Sequence, residues 1–395
     1  MKYRFALRAD TLKGSEIREI LKLTELPEII SFAGGLPAPE LFPVETITQL
    51  TNKILTEEGQ LALQYGSTDG LPLLRQIIAN ERMALAGVTT TADNILITSG
   101  SQQGIDFCAR IFLNDGDYVI CEDPSYLGAL GVFNTYHAKY LPIPMDDDGM
   151  IIEELEKTLQ AYPQAKVIYT IPDFQNPTGR TMSIERRKQL AKLAAKYQVV
   201  VMEDNPYGEL IFEGKRNPAI KSFDQDGWVI YMGSFSKTFC PGYRIGWTCA
   251  DQELINKFIL LKQTTDLQSS TIAQREIAYY MRDNSLDEHI QEIIKVYKAR
   301  RDLMLDSIAQ YFPAAIKYTY PLGGLFTWVE LKSEIDTAAL LLEALKENVA
   351  FVPGAAFFPN GGHRNFLRLN YSNMADERIV EGIKRLGKVI QRYYE

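Results

Sequence analysis

The chain has 395 residues, 46% of them hydrophobic and 23% charged, which is ordinary for a globular protein and long enough for two or three structural domains. Its net charge of −8 and pI of about 5.2 argue against a general nucleic-acid-binding surface. The N-terminus lacks a signal-peptide pattern and no run of about 18 or more apolar residues occurs, so we expect no membrane segment and a cytoplasmic location.

From about residue 94 to 250, short apolar runs alternate with helical patterns. The pattern predicts strands over 94–98, 118–121, 166–170, 199–202 and 228–232, and a helix over 102–113. Runs that are buried on both faces and separated by helices indicate a parallel sheet in an α/β architecture. Ligands of such sheets bind beyond the carboxyl ends of the strands.

After about residue 285 the pattern changes to that of a smaller α+β domain. A long amphipathic helix runs from 288 to 311, and strand 324–329 and a helix near 337–348 follow it. Short strands near 350–352 and 366–369 precede a C-terminal helix. We therefore predict three parts. They are a large domain over 46–285, a small domain over 286–395, and a segment 1–45 that packs on the small domain and on a partner subunit.

The cysteines and histidines favour neither disulfides nor metal sites. The three histidines have no ligand partners at metal-binding spacing. The four cysteines are scattered without CxxC spacing and are expected to be reduced, buried thiols: Cys108, Cys121, Cys240 and Cys249.

Residues 233–246 follow the last predicted strand and read Gly-Ser-Phe-Ser-Lys-Thr-Phe-Cys-Pro-Gly-Tyr-Arg-Ile-Gly. Lys237 can form a Schiff base with an aldehyde cofactor. Ser234, Ser236 and Arg244 can hold a phosphate by charge-assisted hydrogen bonds. Alone, Ser-x-Ser-Lys is more often a solvated lysine beside turn-capping serines. The hypothesis of a pyridoxal-phosphate (PLP) enzyme therefore needs partners elsewhere in the chain.

Two other predicted strand ends carry suitable groups. Gly100-Ser101-Gln102 lies between a strand and a helix, whose N-terminus can bind a phosphate, although Ser101 is equally suited to cap the helix. Asp204 directly follows a valine-rich strand and can pair with a protonated pyridine nitrogen. Asp-Asn-Pro by itself favours a turn cap.

Four more side chains complete the candidate site. Asn176, in an Asn-Pro-Thr-Gly turn, and Tyr207 can donate to the phenolic oxygen of the cofactor. Tyr126 either stacks on the pyridine ring or belongs to the core. Arg368 lies inside an apolar strand and needs a partner, which is either a substrate carboxylate or a structural salt bridge.

In this order the motifs resemble those of the fold-type I PLP-dependent aminotransferases of class I/II, over essentially the whole chain. The resemblance implies an α/β fold whose large domain has a mostly parallel sheet of the seven-stranded type between helices, beside a smaller α+β domain. Residues 31–43, 62–65 and 349–354 are similar to the 2-aminoadipate and kynurenine/aminoadipate aminotransferase subgroup. The same subgroup includes the aminotransferase-like domains of certain bacterial transcription regulators.

The resemblance implies a role for each matched residue. Lys237 is the Schiff-base lysine and proton carrier, Asp204 pairs with the ring nitrogen, and Tyr126 stacks on the ring. Asn176 and Tyr207 contact the phenolic oxygen. The residues that surround the phosphate are Gly100, Ser101, Gln102, Ser234, Ser236 and Arg244.

Five residues are implied to bind substrate or to act across a dimer. Arg368, together with Asn176, holds the α-carboxylate, and Gly35 contacts the substrate. Tyr65 reaches the phosphate of the neighbouring subunit, which implies a homodimer with shared active sites. Arg18 matches an arginine that can reach a distal carboxylate. On the residues alone Arg18 is a solvated helix position, so side-chain specificity stays open.

The expected activity is a ping-pong transamination from an L-amino acid to a 2-oxo acid such as 2-oxoglutarate. 2-Aminoadipate, glutamate, aromatic and branched-chain amino acids all remain candidate donors. A PLP-dependent lyase or decarboxylase of the same fold and a non-catalytic PLP-sensing regulator domain are the alternatives. A nucleotide-binding loop is disfavoured because neither G-x-G-x-x-G nor G-x-x-x-x-G-K-[ST] is present.

Overall fold

The structure is a computed structural model that describes residues 3–9 and 26–395. Within these ranges the strands form sheets of two, four and eight strands. In chain order the strands are β1 (Ile30–Ser31), β2 (Ile95–Thr98), β3 (Tyr118–Asp123), β4 (Lys139–Asp146), β5 (Gly149–Met150), β6 (Val167–Thr170), β7 (Val200–Asp204), β8 (Val229–Ser234), β9 (Gly246–Cys249), β10 (Lys317–Tyr318), β11 (Phe326–Glu330), β12 (Val349–Ala350), β13 (Val352–Pro353) and β14 (Phe366–Asn370).

The helices flank these sheets, and none in the described part of the chain is long and apolar enough to cross a membrane. In chain order the α-helices of that part are α1 (Val44–Ala62), α2 (Pro72–Ile77), α3 (Ser101–Phe112), α4 (Leu127–Asn134), α5 (Ile152–Ala161), α6 (Ile184–Tyr197), α7 (Gln252–Thr265), α8 (Thr271–Asp283), α9 (Leu286–Tyr311), α10 (Thr337–Lys346) and α11 (Asp376–Gln391).

The large sheet has the strand order β2-β9-β8-β7-β6-β3-β4-β5. Strands β8, β7, β6, β3 and β4 are parallel. Strand β9 is antiparallel to both of its neighbours, and β5 is antiparallel to β4. The prediction of a mostly parallel sheet between helices is confirmed, and the two-residue β5 extends the edge to eight strands.

Both faces of this sheet are covered, as its apolar strands predict. Every residue of β6 is buried. Val167 and Tyr169 belong to one hydrophobic core, and Ile168 belongs to another that also contains Leu190 of α6. Because successive side chains of a strand point to opposite faces, the continuous apolar run fills a core on each side.

The smaller sheet is antiparallel, with the order β10-β11-β14-β13. The region predicted as one short strand near 350–352 consists of two, because β12 pairs with β1 whereas β13 pairs with β14. The pairing of β1 with β12 joins the N-terminal part of the chain to its C-terminal part. The domain boundaries at residues 45 and 285 stay a prediction.

Candidate active site

A cavity of about 390 Å³ lies at the carboxyl ends of β7 and β8, beside the N-terminus of α3. Such a position at the strand ends is where parallel sheets bind ligands. Most of the candidate residues line this cavity, namely Gly35, Ser101, Gln102, Tyr126, Asn176, Asp204, Tyr207, Ser234, Ser236, Lys237, Arg244 and Arg368.

Lys237 lies in the segment that follows β8, three residues after Ser234, the last residue of that strand. Its Nζ donates a hydrogen bond to the carbonyl oxygen of Gly35 at 2.7 Å. The side chain is half-buried. Burial, and then repulsion from the guanidinium groups of Arg244 and Arg368, lowers the pKa of this amine to about 8. Because a neutral amine is required of a nucleophile or a base, the lowered pKa leaves Lys237 reactive close to neutral pH.

Asp204 is the last residue of β7 and is almost fully buried. Its Oδ2 accepts a hydrogen bond from the hydroxyl of Tyr169 at 2.8 Å, whereas its Oδ1 has no hydrogen-bond partner in the described part of the chain. Burial raises the pKa of Asp204 to about 6, and the Tyr169 hydroxyl opposes that rise. A buried oxygen without a partner calls for a ligand donor.

A cradle of hydroxyl groups and one guanidinium lies at the N-terminus of α3. Nη1 of Arg244 donates to Oγ of Ser236 at 3.2 Å, and the backbone N–H of Ser236 donates to Oγ of Ser234 at 3.1 Å. Gly100 has a positive φ of 74°, and a Cβ there would overlap the Arg244 side chain. The glycine therefore leaves room for the arginine, while the first N–H groups of the helix remain available to an anion.

Ser101 and Gln102 begin α3 and face the same cavity. The Nε2 of Gln102 donates to the carbonyl oxygen of Gly128 at 2.9 Å. This bond ties the start of α3 to the first turn of α4. Ser101 is the first residue of α3, and the N-cap is Gly100. Ser101 is therefore not the capping residue, and no side chain in the described part of the chain caps this helix.

Tyr126 immediately precedes α4 and lines the cavity. Its ring packs against Gly128, where a Cβ would overlap the ring. Burial, followed by the negative charge of Asp204, raises the pKa of the Tyr126 phenol. The neutral, half-buried ring therefore presents a flat apolar surface to the cavity, as stacking on a pyridine ring requires.

Arg368, in the centre of β14, and Asn176 are in direct contact. Nη1 of Arg368 donates to Oδ1 of Asn176 at 2.8 Å, and its Nη2 donates to the carbonyl oxygen of Ala33 at 2.6 Å. Its Nε has no partner in the described part of the chain. Burial lowers the pKa of Arg368 to about 10. The strand thus holds a buried guanidinium whose Nε–H is free, among the described residues, to donate a hydrogen bond to a ligand.

Tyr207 is buried, and burial raises the pKa of its phenol well above the ordinary value, so the group remains a neutral donor. Its ring meets that of Phe326 edge to face, with the centroids 6.0 Å apart. The Arg368 guanidinium lies 4.2 Å from the Phe326 centroid, within the range of a cation–π contact. Phe326 was not among the candidate residues, since one aromatic in an apolar strand gives no functional signal.

Glu122 is a second group that sequence reasoning missed. This fully buried carboxylate of β3 accepts hydrogen bonds from the Thr170 hydroxyl at 2.5 Å and from Nε2 of Gln175 at 3.1 Å. Gln175 Nε2 also donates to the carbonyl oxygen of Pro124 at 2.8 Å. Glu122 thereby fixes the loop that carries Asn176. The available signal was an acid inside an apolar strand, because a buried carboxylate needs donors.

Two candidates do not line the cavity, and the position of a third is not described by the structure. Gly100 borders the Arg244 guanidinium without lining the cavity. Tyr65 is 77% exposed and does not line the cavity of its own subunit. Arg18 lies outside the described residues.

The cavity fits PLP on the chemistry of its donors. The partnerless Oδ1 of Asp204 suits a pyridinium N–H, and the cradle around Arg244 suits a phosphate. The amine of Lys237 lies in the same cavity and suits an aldehyde. Within residues 3–9 and 26–395, no group of three or more His, Cys, Asp or Glu side chains could hold a metal ion.

Residues 29–386 match the family model described as aminotransferase class I and II. The chain is 44% identical over 391 residues to aromatic-amino-acid aminotransferase 1 of Thermococcus litoralis, covering 98% of this chain and 94% of that protein. It is 38% identical over 390 residues to the 2-aminoadipate transaminase of Thermus thermophilus, covering 98% and 96%. The crystal structure of Pyrococcus horikoshii kynurenine aminotransferase aligns with a TM-score of 0.95 at 43% identity, over 99% of this chain and 98% of that one.

The fold and the cavity define a PLP-dependent transferase of fold type I. The chain belongs to the class I and II aminotransferases, and it is a PLP-dependent transaminase. The resemblance inferred from the sequence motifs is confirmed.

Proposed function

We propose that this transaminase accepts a broad set of L-amino acids, aromatic ones among them, and passes their amino groups to 2-oxoglutarate. The relatives at 44% and 38% identity are named for aromatic and for 2-aminoadipate substrates, so both neutral and acidic donors are candidates. Both relatives are named as aminotransferases, which argues against the alternatives of a lyase, a decarboxylase or a regulator domain.

The observation that carries the proposal is the state of Arg368. This guanidinium is only 7% exposed, and its hydrogen bonds go to the neutral oxygens of Asn176 and Ala33 rather than to a carboxylate. A buried cation without an anionic partner is costly. The α-carboxylate common to amino acids and 2-oxo acids would supply that partner, within the cavity that also contains Lys237.

The roles of the residues follow from this arrangement. When bound, PLP supplies an electron sink for the electron pair left on the substrate Cα. Asp204 would hold the ring N–H through its free Oδ1, and Tyr126 would cover one ring face. Lys237 carries the proton from Cα as a general base and returns it as a general acid. Arg368 would bind the carboxylate and so orient Cα toward the cavity that Lys237 also lines.

A donor panel tests the proposed activity. The PLP-loaded protein is incubated with 2-oxoglutarate and with phenylalanine, leucine, alanine, glutamate or 2-aminoadipate, and the amino acid formed is quantified. We expect new glutamate from phenylalanine, with parallel-line kinetics typical of a ping-pong reaction. Release of carbon dioxide or ammonia without new glutamate would contradict transamination. An Arg18→Ala variant that loses leucine and 2-aminoadipate activity equally would remove Arg18 from distal-carboxylate recognition.

The active form in this proposal is a homodimer in which Tyr65 of each subunit reaches the phosphate cradle of its neighbour. The exposure of an apolar stretch at the end of α1 supports a partner there: Leu61 is 66% exposed, Leu63 is 73% exposed and Tyr65 is 77% exposed. Exposed apolar side chains that cluster in this way often mark an interface. A symmetric dimer would cover both copies of the stretch at once.

Mixing two inactive variants tests the shared site. Tyr65→Ala and Lys237→Ala homodimers each lack one group in every site. A mixed dimer has one site with both groups intact, so random exchange of subunits is expected to restore about a quarter of wild-type activity. Activity is measured before and after refolding the variants together. Failure to recover activity, while sedimentation shows mixed dimers, would contradict the role of Tyr65.

A cytoplasmic location also belongs to the proposal. All four cysteines are buried free thiols, and reduced thiols are typical of reducing compartments. Labelling of the protein in fractionated cells would test this location.

A further inference from the structure

A second cavity, of about 480 Å³, adjoins the cofactor cavity. The two share Gly35, Leu127 and Arg368 as lining residues. Under the proposed function, on which this inference rests, Arg368 binds the substrate α-carboxylate. The side chain of a bound amino acid therefore starts where the second cavity begins. We propose that this second cavity, here called the side-chain pocket, receives large uncharged side chains and that Gly131 sets its size.

The walls of the side-chain pocket are mostly apolar. Leu127 and Leu130 of α4 form part of one wall, and Val352 and Phe358 from the small sheet and the loop after it form part of another. Burial of an aromatic ring between such walls is favourable because apolar surface leaves water. The walls therefore select for size and apolarity.

Among the described residues, the charges that line the side-chain pocket favour a neutral side chain over an acidic one. Arg368 is the one basic lining residue, no acidic side chain lines the pocket, and the α-carboxylate already engages Arg368. A second carboxylate placed in this pocket would find no further cation among the described lining residues, which is unfavourable away from water. The pocket thus suits a neutral side chain.

The solvent-facing part of the pocket carries polar groups. Tyr140 lines it, and the Tyr140 hydroxyl donates to the carbonyl oxygen of Leu130 at 3.0 Å and to Oδ1 of Asn134 at 2.8 Å. Asn134 is exposed. A polar substituent on an aromatic ring could bond there, whereas the ring itself would lie against the leucines. This combination matches aromatic amino acids better than aliphatic ones.

Gly131 is the position on α4 where the pocket can be filled without disturbing the fold. It lines the pocket and is itself exposed, so it lies where the pocket meets solvent, and a Cβ built on it meets no atom within 4 Å. Its backbone is helical, so a larger residue is compatible with the conformation and has better helix propensity. A bulky side chain at residue 131 therefore takes up pocket volume while leaving the cofactor site intact.

The test compares wild type with Gly131→Ala, Gly131→Leu and Gly131→Phe, using the PLP-loaded protein. We expect kcat/KM for phenylalanine to fall at least about tenfold in Gly131→Phe, a typical loss when a hydrophobic pocket is closed, while kcat/KM for alanine changes less than about threefold. For phenylalanine, kcat/KM of Gly131→Ala should be close to that of wild type, and that of Gly131→Leu should lie between wild type and Gly131→Phe.

The matched control is Lys157→Phe, which adds the same ring to an exposed helix position outside both cavities. It should leave kcat/KM unchanged for both phenylalanine and alanine.

Three outcomes would overturn the proposal. The first is an equal loss for phenylalanine and alanine in a folded Gly131→Leu variant, the second is no loss for phenylalanine in Gly131→Phe, and the third is a selective loss of 2-aminoadipate. A binding measurement that needs no transamination tests this inference separately from the proposed function. Titration calorimetry should give wild type at least about tenfold tighter binding of 3-phenylpropionate than of propionate, and Gly131→Phe should remove that difference. If no donor yields glutamate, the proposed function is wrong. The difference in affinity between 3-phenylpropionate and propionate still tests whether the pocket binds an aromatic group.

Discussion

Lys237→Ala is expected to abolish steady-state transamination. The substitution removes the amine that attaches the cofactor and, with it, the group that carries the proton. A positioned proton-transfer group alone contributes about 10²–10⁴ to the rate, so kcat should fall at least that far. The measurement is glutamate formation from phenylalanine and 2-oxoglutarate. Lys257→Ala, at an exposed position of α7, is the matched control and should retain wild-type activity.

Two further readouts separate a chemical role of Lys237 from a structural one. Borohydride treatment of the PLP-loaded wild type should leave a pyridoxyl group on the peptide that contains Lys237. A small primary amine added to Lys237→Ala should recover part of the proton-transfer rate, which it could not do for a misfolded protein. A pyridoxyl group found only on another lysine, or full activity in Lys237→Ala, would contradict the assignment.

The lowered pKa of Lys237 adds a pH dependence to this prediction. Amines react in their neutral form, and burial lowers this pKa to about 8, whereas exposed lysines have values of about 10.4. Labelling of Lys237 in the cofactor-free protein by an amine-reactive reagent should therefore rise with pH to a half-maximum near 8. Peptide mass spectrometry gives the rate, and PLP should protect the residue.

Sequence reasoning located the strands and the site residues at their ends for a clear physical reason. Strands β6, β7 and β8 are buried on both faces, so their apolar runs are continuous and easy to recognise. The polar residue that follows such a run lies at the carboxyl edge of the sheet. This pattern predicts Asp204 and Lys237 as site residues, and both line the same cavity.

The pattern did not predict β4. This strand contains Pro142 and Pro144, and most of its residues are half-buried, without the alternation of exposed and buried residues that marks a strand. Proline is tolerated there because β4 lies near the edge of the sheet, where only the two-residue β5 pairs with its outer side. From the sequence pattern alone, a segment with two prolines is predicted to be a loop.

Sequence patterns also could not supply the long-range contacts that assemble the site. The bond from Lys237 to Gly35 spans 202 residues, and that from Arg368 to Asn176 spans 192. Neither Glu122 nor Phe326 has a local motif, since each acts through a neighbour that is distant in sequence. The resemblance to a known family identifies most of the site residues. The contacts between their side chains are visible only in the folded structure.

Asp204→Asn is the second large effect that we expect. The amide keeps the shape of the side chain but removes the negative charge that balances a pyridinium N–H. Truncating one partner of a buried charge pair costs about 2–5 kcal/mol, so kcat should fall roughly 30- to 5,000-fold. The absorbance maximum of the bound cofactor should shift as well, because ring protonation is lost. Retention of more than half of wild-type kcat would contradict the pairing.

Tyr169→Phe is the matched variant for this carboxylate, because it removes one hydrogen bond to Asp204 and leaves the charge. Burial raises the pKa of Asp204 to about 6, and the Tyr169 hydroxyl lowers it because donation favours the ionised form. Loss of the hydroxyl should raise that pKa further, so the acid limb of the activity profile should move to higher pH. The loss of kcat at neutral pH should stay below about 160-fold, since a hydrogen bond to a charged group contributes about 1.5–3 kcal/mol and the ring N–H remains to stabilise the carboxylate. A shift of the acid limb to lower pH would mean that Asp204 is not the group that titrates there.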